Sequence, residues 1–273
     1  MTTDDARVGV DESTRWARVE DGTWLRLHRF AATAGVGGPT PDVCDPGRTG
    51  TAVLVPGLGL PRYLLPVAAR LAGMGLETFV VDALARHGRA RRAAPTIAGL
   101  AEVTAAWLAR RDQGPTVVVG HSTGAQVALE AVLRTQRTGQ ALALVMAGPT
   151  FTPAQRRLRG LVPAALTAYR KDTPKELVVL KDVARVRTDL VRIVQSARRH
   201  PVEDRVPLLA VPLTVTAGEA DSFAPVDWLD LLAARAGAAS RSVVLPGSHN
   251  NVFTHPGLFA RLVVDACERV AEG

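Results

Sequence analysis

Lysine is almost missing from this chain: Lys171, Lys175 and Lys181 are the full complement, and every other basic residue is arginine. Aromatic residues make up only 4% of the 273 positions, too few to supply a base-stacking platform. Zinc-finger spacing, a basic zipper and an RNP-like aromatic motif are also missing, so no nucleic acid is expected as a partner. Cysteine occurs twice, at Cys44 and Cys267, far apart, which excludes a disulfide scaffold at this size. No apolar run approaches the roughly 18 residues needed to cross a bilayer. The start, Met1 to Asp5, is acidic and lacks the apolar stretch of a secretory signal. A reducing cytoplasm is the expected compartment. There is no H-E-x-x-H and no Cys/His cluster, so no metal and no cofactor is expected.

What is present is the composition of a globular protein: 47% apolar and 22% charged residues. The length suits one large domain, or one domain carrying an insertion. The net charge of +7 is unevenly placed. Residues 151–205 hold 13 Lys/Arg against six Asp/Glu, while the remaining residues hold 20 of each. The whole excess sits in one block.

The chain opens with polar residues 1–15, expected to be frayed. Residues 16–30 read as a hairpin, Trp16–Val19 and Trp24–Phe30 about a turn at Asp21-Gly22. Residues 31–50, rich in Gly, Pro, Ala and Thr, read as a long loop. A new rhythm then begins. Short apolar runs at Ala52–Val55, Thr78–Val81, Thr116–Val119, Leu142–Met146, Leu213–Thr216 and Ser242–Leu245 have the character of buried parallel strands. Helical patterning falls between them at Leu64–Met74, Ile97–Arg110, Ala125–Thr135 and Pro225–Ala236, and Phe259–Ala271 closes the chain. Alternation of this kind predicts an α/β fold with a mostly parallel sheet and helices on both faces. One connection is different. Between Met146 and Leu213 no strand is evident, and Pro153–Arg170 and Pro174–Arg199 have helical patterning. An insertion leaving the C-terminal edge of an open α/β sheet lies where such sheets bind ligands. It reads as a helical cap over 151–205, inserted after the sixth strand into a core formed by 1–150 and 206–273. It is also the block with the excess charge.

The strongest local signal is Gly120-His121-Ser122-Thr123-Gly124, which fits G-x-S-x-G after a strand and before a helix. A nucleophile at the tip of a sharp strand-to-helix turn needs a strained backbone and small neighbours. Gly120 and Gly124 meet that need, and the following helix aims its N-terminal N–H groups at developing negative charge. On this motif the chain resembles the α/β-hydrolase superfamily, over nearly everything from Trp16 to Val270.

The resemblance implies the chain order nucleophile, acid, histidine. It assigns Ser122 as nucleophile. Asp221, in Gly218-Glu219-Ala220-Asp221, is assigned as the acid, with Glu219 a competitor, and His249, after the last strand, as the base. Some relatives take the acid from an earlier strand, but Ala147-Gly148-Pro149-Thr150 offers no carboxylate. His28, His87, His121, His200 and His255 lack the position of His249; His121 is expected to pack or hydrogen-bond within the elbow. The implied oxyanion hole uses the backbone N–H groups of Thr123 and of Leu58, the latter in Val55-Pro56-Gly57-Leu58-Gly59-Leu60. Two departures stand out: Pro56 occupies a position where many relatives have His, and Ala125 replaces a second glycine after the elbow.

The expected function is a serine hydrolase that cleaves a carboxylic ester or thioester through an acyl-enzyme. The same acyl-enzyme would give acyl transfer or cyclisation if the cap excluded water, and a non-catalytic ligand-binding role of this fold stays open. The basic cap also suggests an anionic substrate or acidic acyl carrier. The simpler alternative is a set of solvated helix faces with internal acid–base pairs.

Overall fold

The computed structural model describes residues 10–19, 22–32, 50–111, 114–157, 179–237 and 239–271, with backbone alone for 179–187 and 271. Its strands are β1 (Val10–Arg18), β2 (Trp24–Ala32), β3 (Thr51–Val55), β4 (Glu77–Asp82), β5 (Thr116–His121), β6 (Leu142–Ala147), β7 (Leu213–Gly218) and β8 (Ser240–Leu245). They form one sheet in the order β1-β2-β4-β3-β5-β6-β7-β8. The two N-terminal strands are antiparallel and all the others run parallel. Every residue of β3, β6 and β7 is buried, which explains their unbroken apolar character.

The hairpin extends further than the sequence suggests, because β1 begins at Val10 and pairs residue for residue with β2 from Val10↔Ala32 to Arg18↔Trp24. Residues 10–15 were expected to fray because they are polar. On a half-exposed edge strand, however, main-chain pairing satisfies the backbone whatever the side chains are. Likewise β2 runs to Ala32, into the expected loop; residues 33–49 lie outside those described.

The helices are α1 (Leu65–Gly73), α2 (Ile97–Leu108), α3 (Thr123–Thr135), α4 (Val179–Arg199), α5 (Val202–Arg205), α6 (Val226–Arg235), α7 (Asn251–Thr254) and α8 (Pro256–Ala271). Strand order reverses at β3: the β3–β4 crossover runs one way along the sheet, and those from β4 to β5 and β6 run the other. Right-handed crossovers of opposite direction put their helices on opposite faces. Accordingly α1 packs with α8, and α2 packs with α3. A crevice opens at such a reversal beyond the carboxyl ends of the strands, here β3 and β5.

The long connection between β6 and β7 contains α4, as the sequence predicted for Pro174–Arg199. Pro153–Arg156, the start of the other expected helix, forms turns, and 158–178 lie outside the described residues. The C-terminal half of α4 is fastened to the core. Ile193 and Ala197 are fully buried, Arg92 pairs with Asp189, the Ile97 N–H donates to Ser196 Oγ, and Gln126 Nε2 donates to the Ala197 carbonyl. Among the described residues no helix is long and apolar enough to cross a membrane.

The exit of the connection is pinned by one carboxylate. Glu130, on α3 and 7% exposed, accepts from His200 Nε2 at 2.9 Å, from Arg205 Nε at 2.7 Å and from Arg134 at 3.0 Å. Burial alone would raise its pKa. The hydrogen bonds and charges of His200 and Arg205 outweigh burial and bring it from 4.5 down to about 2. A depressed carboxylate pKa stabilises the fold above the unfolded value, and that contribution is lost as pH falls towards the folded one. Glu130→Gln is therefore expected to cost about 1–3 kcal/mol at pH 7. The gap to the parent should narrow as pH drops from 4.5 towards 2, as measured by urea unfolding at stepped pH. A pH-independent gap would contradict the assignment.

Candidate active site

The elbow follows from close contact between backbones. A side chain at Gly120 would collide with the Gly124 carbonyl and lie 2.7 Å from the Ala125 nitrogen. One at Gly124 would collide with the Val55 carbonyl and lie 2.7 Å from that of Pro56. With both positions bare, α3 folds back directly over β5. Ser122, between them, takes φ 57° and ψ −126°, a conformation disfavoured for a non-glycine residue and of a kind that clusters at functional sites. Its own N–H donates to the Ala147 carbonyl at 2.8 Å, which ties the turn to the end of β6.

The loops after β7 and β8 are laced together by Glu219 N–H to the Leu245 carbonyl at 2.8 Å and Ala220 N–H to the Gly247 carbonyl at 3.0 Å. This lacing sets Asp221 against His249, with Oδ2 2.9 Å from Nδ1. The other oxygen, Oδ1, accepts from the backbone N–H groups of Phe223 at 2.8 Å and Ala224 at 3.1 Å. Burial would raise the Asp221 pKa, but the His249 imidazole beside it and these hydrogen bonds hold it below the ordinary value. The carboxylate is therefore ionised, and Nδ1 of His249 carries the proton it donates. Glu219 is exposed on the same turn, and its side chain does not take part.

Ser122 and His249 meet the same short segment. A side chain at Gly148 would come within 3.0 Å of the His249 ring and 3.1 Å of Asp221 Oδ2, and Gly148 directly follows the Ala147 that binds the Ser122 N–H. Among the described residues the Ser122 hydroxyl makes no hydrogen bond. Catalytic hydrogen bonds commonly close only when substrate is bound. The Phe223 ring lies 4.8 Å from that of His249.

Leu58 and Thr123 also meet, in an unexpected way. Leu58 has left-handed backbone, φ 54° and ψ 14°, and its N–H donates to the Thr123 side chain, Oγ1, at 2.8 Å. The Thr123 N–H opens α3, where helix geometry supplies no intrahelical acceptor.

Sequence reasoning missed Tyr63. It is one of only two tyrosines, five residues beyond Leu58, and it is buried. The Gly57 N–H donates to its hydroxyl at 2.6 Å, and the hydroxyl lies 2.9 Å from His121 Nδ1. His121 Nε2 lies 2.9 Å from the main-chain carbonyl of His249. A carbonyl can only accept, so Nε2 bears the proton and Nδ1 accepts from the phenol. One chain of bonds thus joins the loop after β3, the elbow and the histidine loop. It requires a neutral imidazole, and burial, aided by the nearby His249, pushes the His121 pKa down to about 3. Three of the other histidines have separate roles: His87 stacks on Trp24, His200 binds Glu130, and His255 meets Thr254.

Tyr63→Phe leaves the Gly57 N–H and His121 Nδ1 without their partner. It is expected to lower unfolding stability by about 1–3 kcal/mol. In the parent, the unfolded chain takes up a proton at residue 121 below pH 6.5 while the fold does not until about 3, so stability falls with pH across that window. A His121→Gln variant should lack that part of the acid sensitivity, as read from urea midpoints between pH 7 and pH 4. An unchanged pH slope would contradict the buried neutral imidazole.

Comparisons with known proteins fit this architecture. The structure resembles proline iminopeptidase from Mycobacterium smegmatis, with TM-score 0.71 and 18% identity over 95% of this chain and 99% of that one. It resembles the esterase EaEST from Exiguobacterium antarcticum, with TM-score 0.67 and 13% identity over 93% and 98%. It also resembles the type II thioesterase BorB from the borrelidin biosynthetic cluster, with TM-score 0.62 and 20% identity over 82% and 95%. None of the curated proteins matches the sequence. The family described as Thioesterase domain matches residues 54–267, which contain every site residue named above. The chain belongs to the thioesterase domain family and is an α/β-hydrolase of the ester- or thioester-cleaving kind.

Proposed function

We propose that the protein is a serine thioesterase or esterase working through an acyl-enzyme on Ser122. The observation that carries this reading is the buried Asp221–His249 pair beside the strained Ser122 turn. With Nδ1–H held by Asp221, the Nε2 lone pair of His249 faces the reaction. Ser122 Oγ attacks the acyl carbon, a C–O bond forms, the carbonyl pair moves onto oxygen, and Nε2 takes the hydroxyl proton. The oxyanion sits at the N-terminus of α3, on the Thr123 N–H and the loop of Leu58. Collapse restores the carbonyl and breaks the bond to sulfur or oxygen, and Nε2 returns the proton to the leaving group. Water repeats the sequence on the acyl-serine and releases the acid.

The family match and the type II thioesterase among the similar structures favour a thioester substrate. We read 151–205 as a cap that shapes the acyl pocket, since α4 packs on the turns spanning residues 57–64. The excess charge of that block suits an anionic substrate or an acidic acyl carrier. Arg156 and Arg205 are already paired with Glu203 and Glu130, so any attraction comes from the rest of the block. We place the enzyme in the cytoplasm, a reading that rests on the sparse, distant cysteines.

Labelling with a fluorophosphonate probe tests the reading: the parent should form one covalent adduct and Ser122→Ala none. Labelling that survives the substitution overturns the nucleophile assignment. The carrier question is settled by kcat/KM for neutral and anionic thioesters of equal acyl length. The anionic one should be favoured at low ionic strength, and its advantage should shrink with salt. Equal, salt-independent values remove the carrier.

A further inference from the structure

The backbone N–H of Leu58, where resemblance puts the second oxyanion donor, is already committed. It points at Thr123 Oγ1 over 2.8 Å, a full-strength bond. Substrate oxygen therefore does not meet this N–H directly while that bond stands. A hydroxyl, however, accepts through a lone pair and still has one proton to give. Among the described residues, Thr123 Oγ1 has Leu58 as its partner and its proton has no acceptor. The side chain is 3% exposed, so water does not compete freely for that proton, and its β-branch leaves few rotamers.

Resting on the acyl-enzyme reading above, we propose that the Thr123 hydroxyl is itself an oxyanion donor, passing on the donation of the Leu58 N–H. The hydroxyl and the free N–H of the same residue both stand at the start of α3, next to the Ser122 that carries the tetrahedral intermediate. The Leu58 N–H polarises the hydroxyl and makes it a stronger donor, as linked hydrogen bonds do. In this arrangement the loop after β3 acts on the reaction through a side chain of the elbow. The requirement is chemical: position 123 needs a hydroxyl.

The test uses a 4-nitrophenyl acyl ester as substrate and an alkyl trifluoromethyl ketone, which adds reversibly to a catalytic serine as a hemiketal. Thr123→Val should lower kcat/KM by about a hundredfold. It should weaken the ketone by a similar factor and raise the pKa of the hemiketal oxygen, followed by fluorine NMR. Thr123→Ser should restore all three. Thr123→Ala provides the same comparison if the valine variant folds poorly, with melting curves recorded for each. A role confined to holding the loop would lower stability and leave the hemiketal pKa where it was, which overturns the proposal. Unchanged kcat/KM in both the valine and alanine variants overturns it too. So does a gain in rate, which would make the hydroxyl a plug on the Leu58 N–H. Failure of the parent to form any hemiketal on Ser122 would instead overturn the acyl-enzyme reading.

Discussion

The site depends on one imidazole that must stay uncharged. His121 is a buried strand residue, and both its nitrogens are used: one accepts from the Tyr63 phenol and the other donates to the His249 main-chain carbonyl. Protonation would turn the acceptor into a donor facing a hydroxyl and place a charge among buried groups. Burial prevents this, pushing the pKa well below its ordinary range. Because Tyr63 also receives the Gly57 N–H, three loops from distant parts of the chain share one set of hydrogen bonds. The geometry at Ser122 is therefore fixed by contacts beneath the proposed catalytic groups, so those groups need not hold each other in place.

Strain is concentrated above this support. Ser122 and Leu58 are the only non-glycine residues with positive φ among those described, and they stand just beyond the carboxyl ends of β5 and β3, where strand order reverses. Backbone in such regions costs of order 1–3 kcal/mol per residue and persists only where the surroundings over-determine it. Here the surroundings are the fully buried strands β3 and β6, and β5, buried from Val117 onward.

Much of this was legible in the sequence, for identifiable reasons. The central strands are covered on both faces, so their apolar runs mark them directly. The elbow is legible because close backbone approach demands glycine at fixed spacing, and the contact between Asp221 and His249 agrees with the acid–histidine order that the resemblance implies. The beginning of β1 was not legible, since a polar edge strand is defined by pairing with a distant partner. Tyr63 was not, because a buried phenol gives no periodic signal and its partners lie 6 and 58 residues away. The bond between Leu58 and Thr123 spans 65 residues and depends on a rotamer, which no pattern encodes. The uneven charge was visible at once, but its partners were not. Arg156 and Arg205 at the edges of the block serve internal ion pairs, and the sequence alone could not separate those from free charge.

The central claim is that the acyl group passes through Ser122. Rapid mixing with a short-chain acyl thioester, acid quenching and peptide mass spectrometry test it most directly. The account predicts that the peptide containing Ser122 gains the mass of one acyl group during turnover and loses it when substrate is exhausted. Turnover with no acyl group on Ser122, or with the acyl group on another residue, would contradict it.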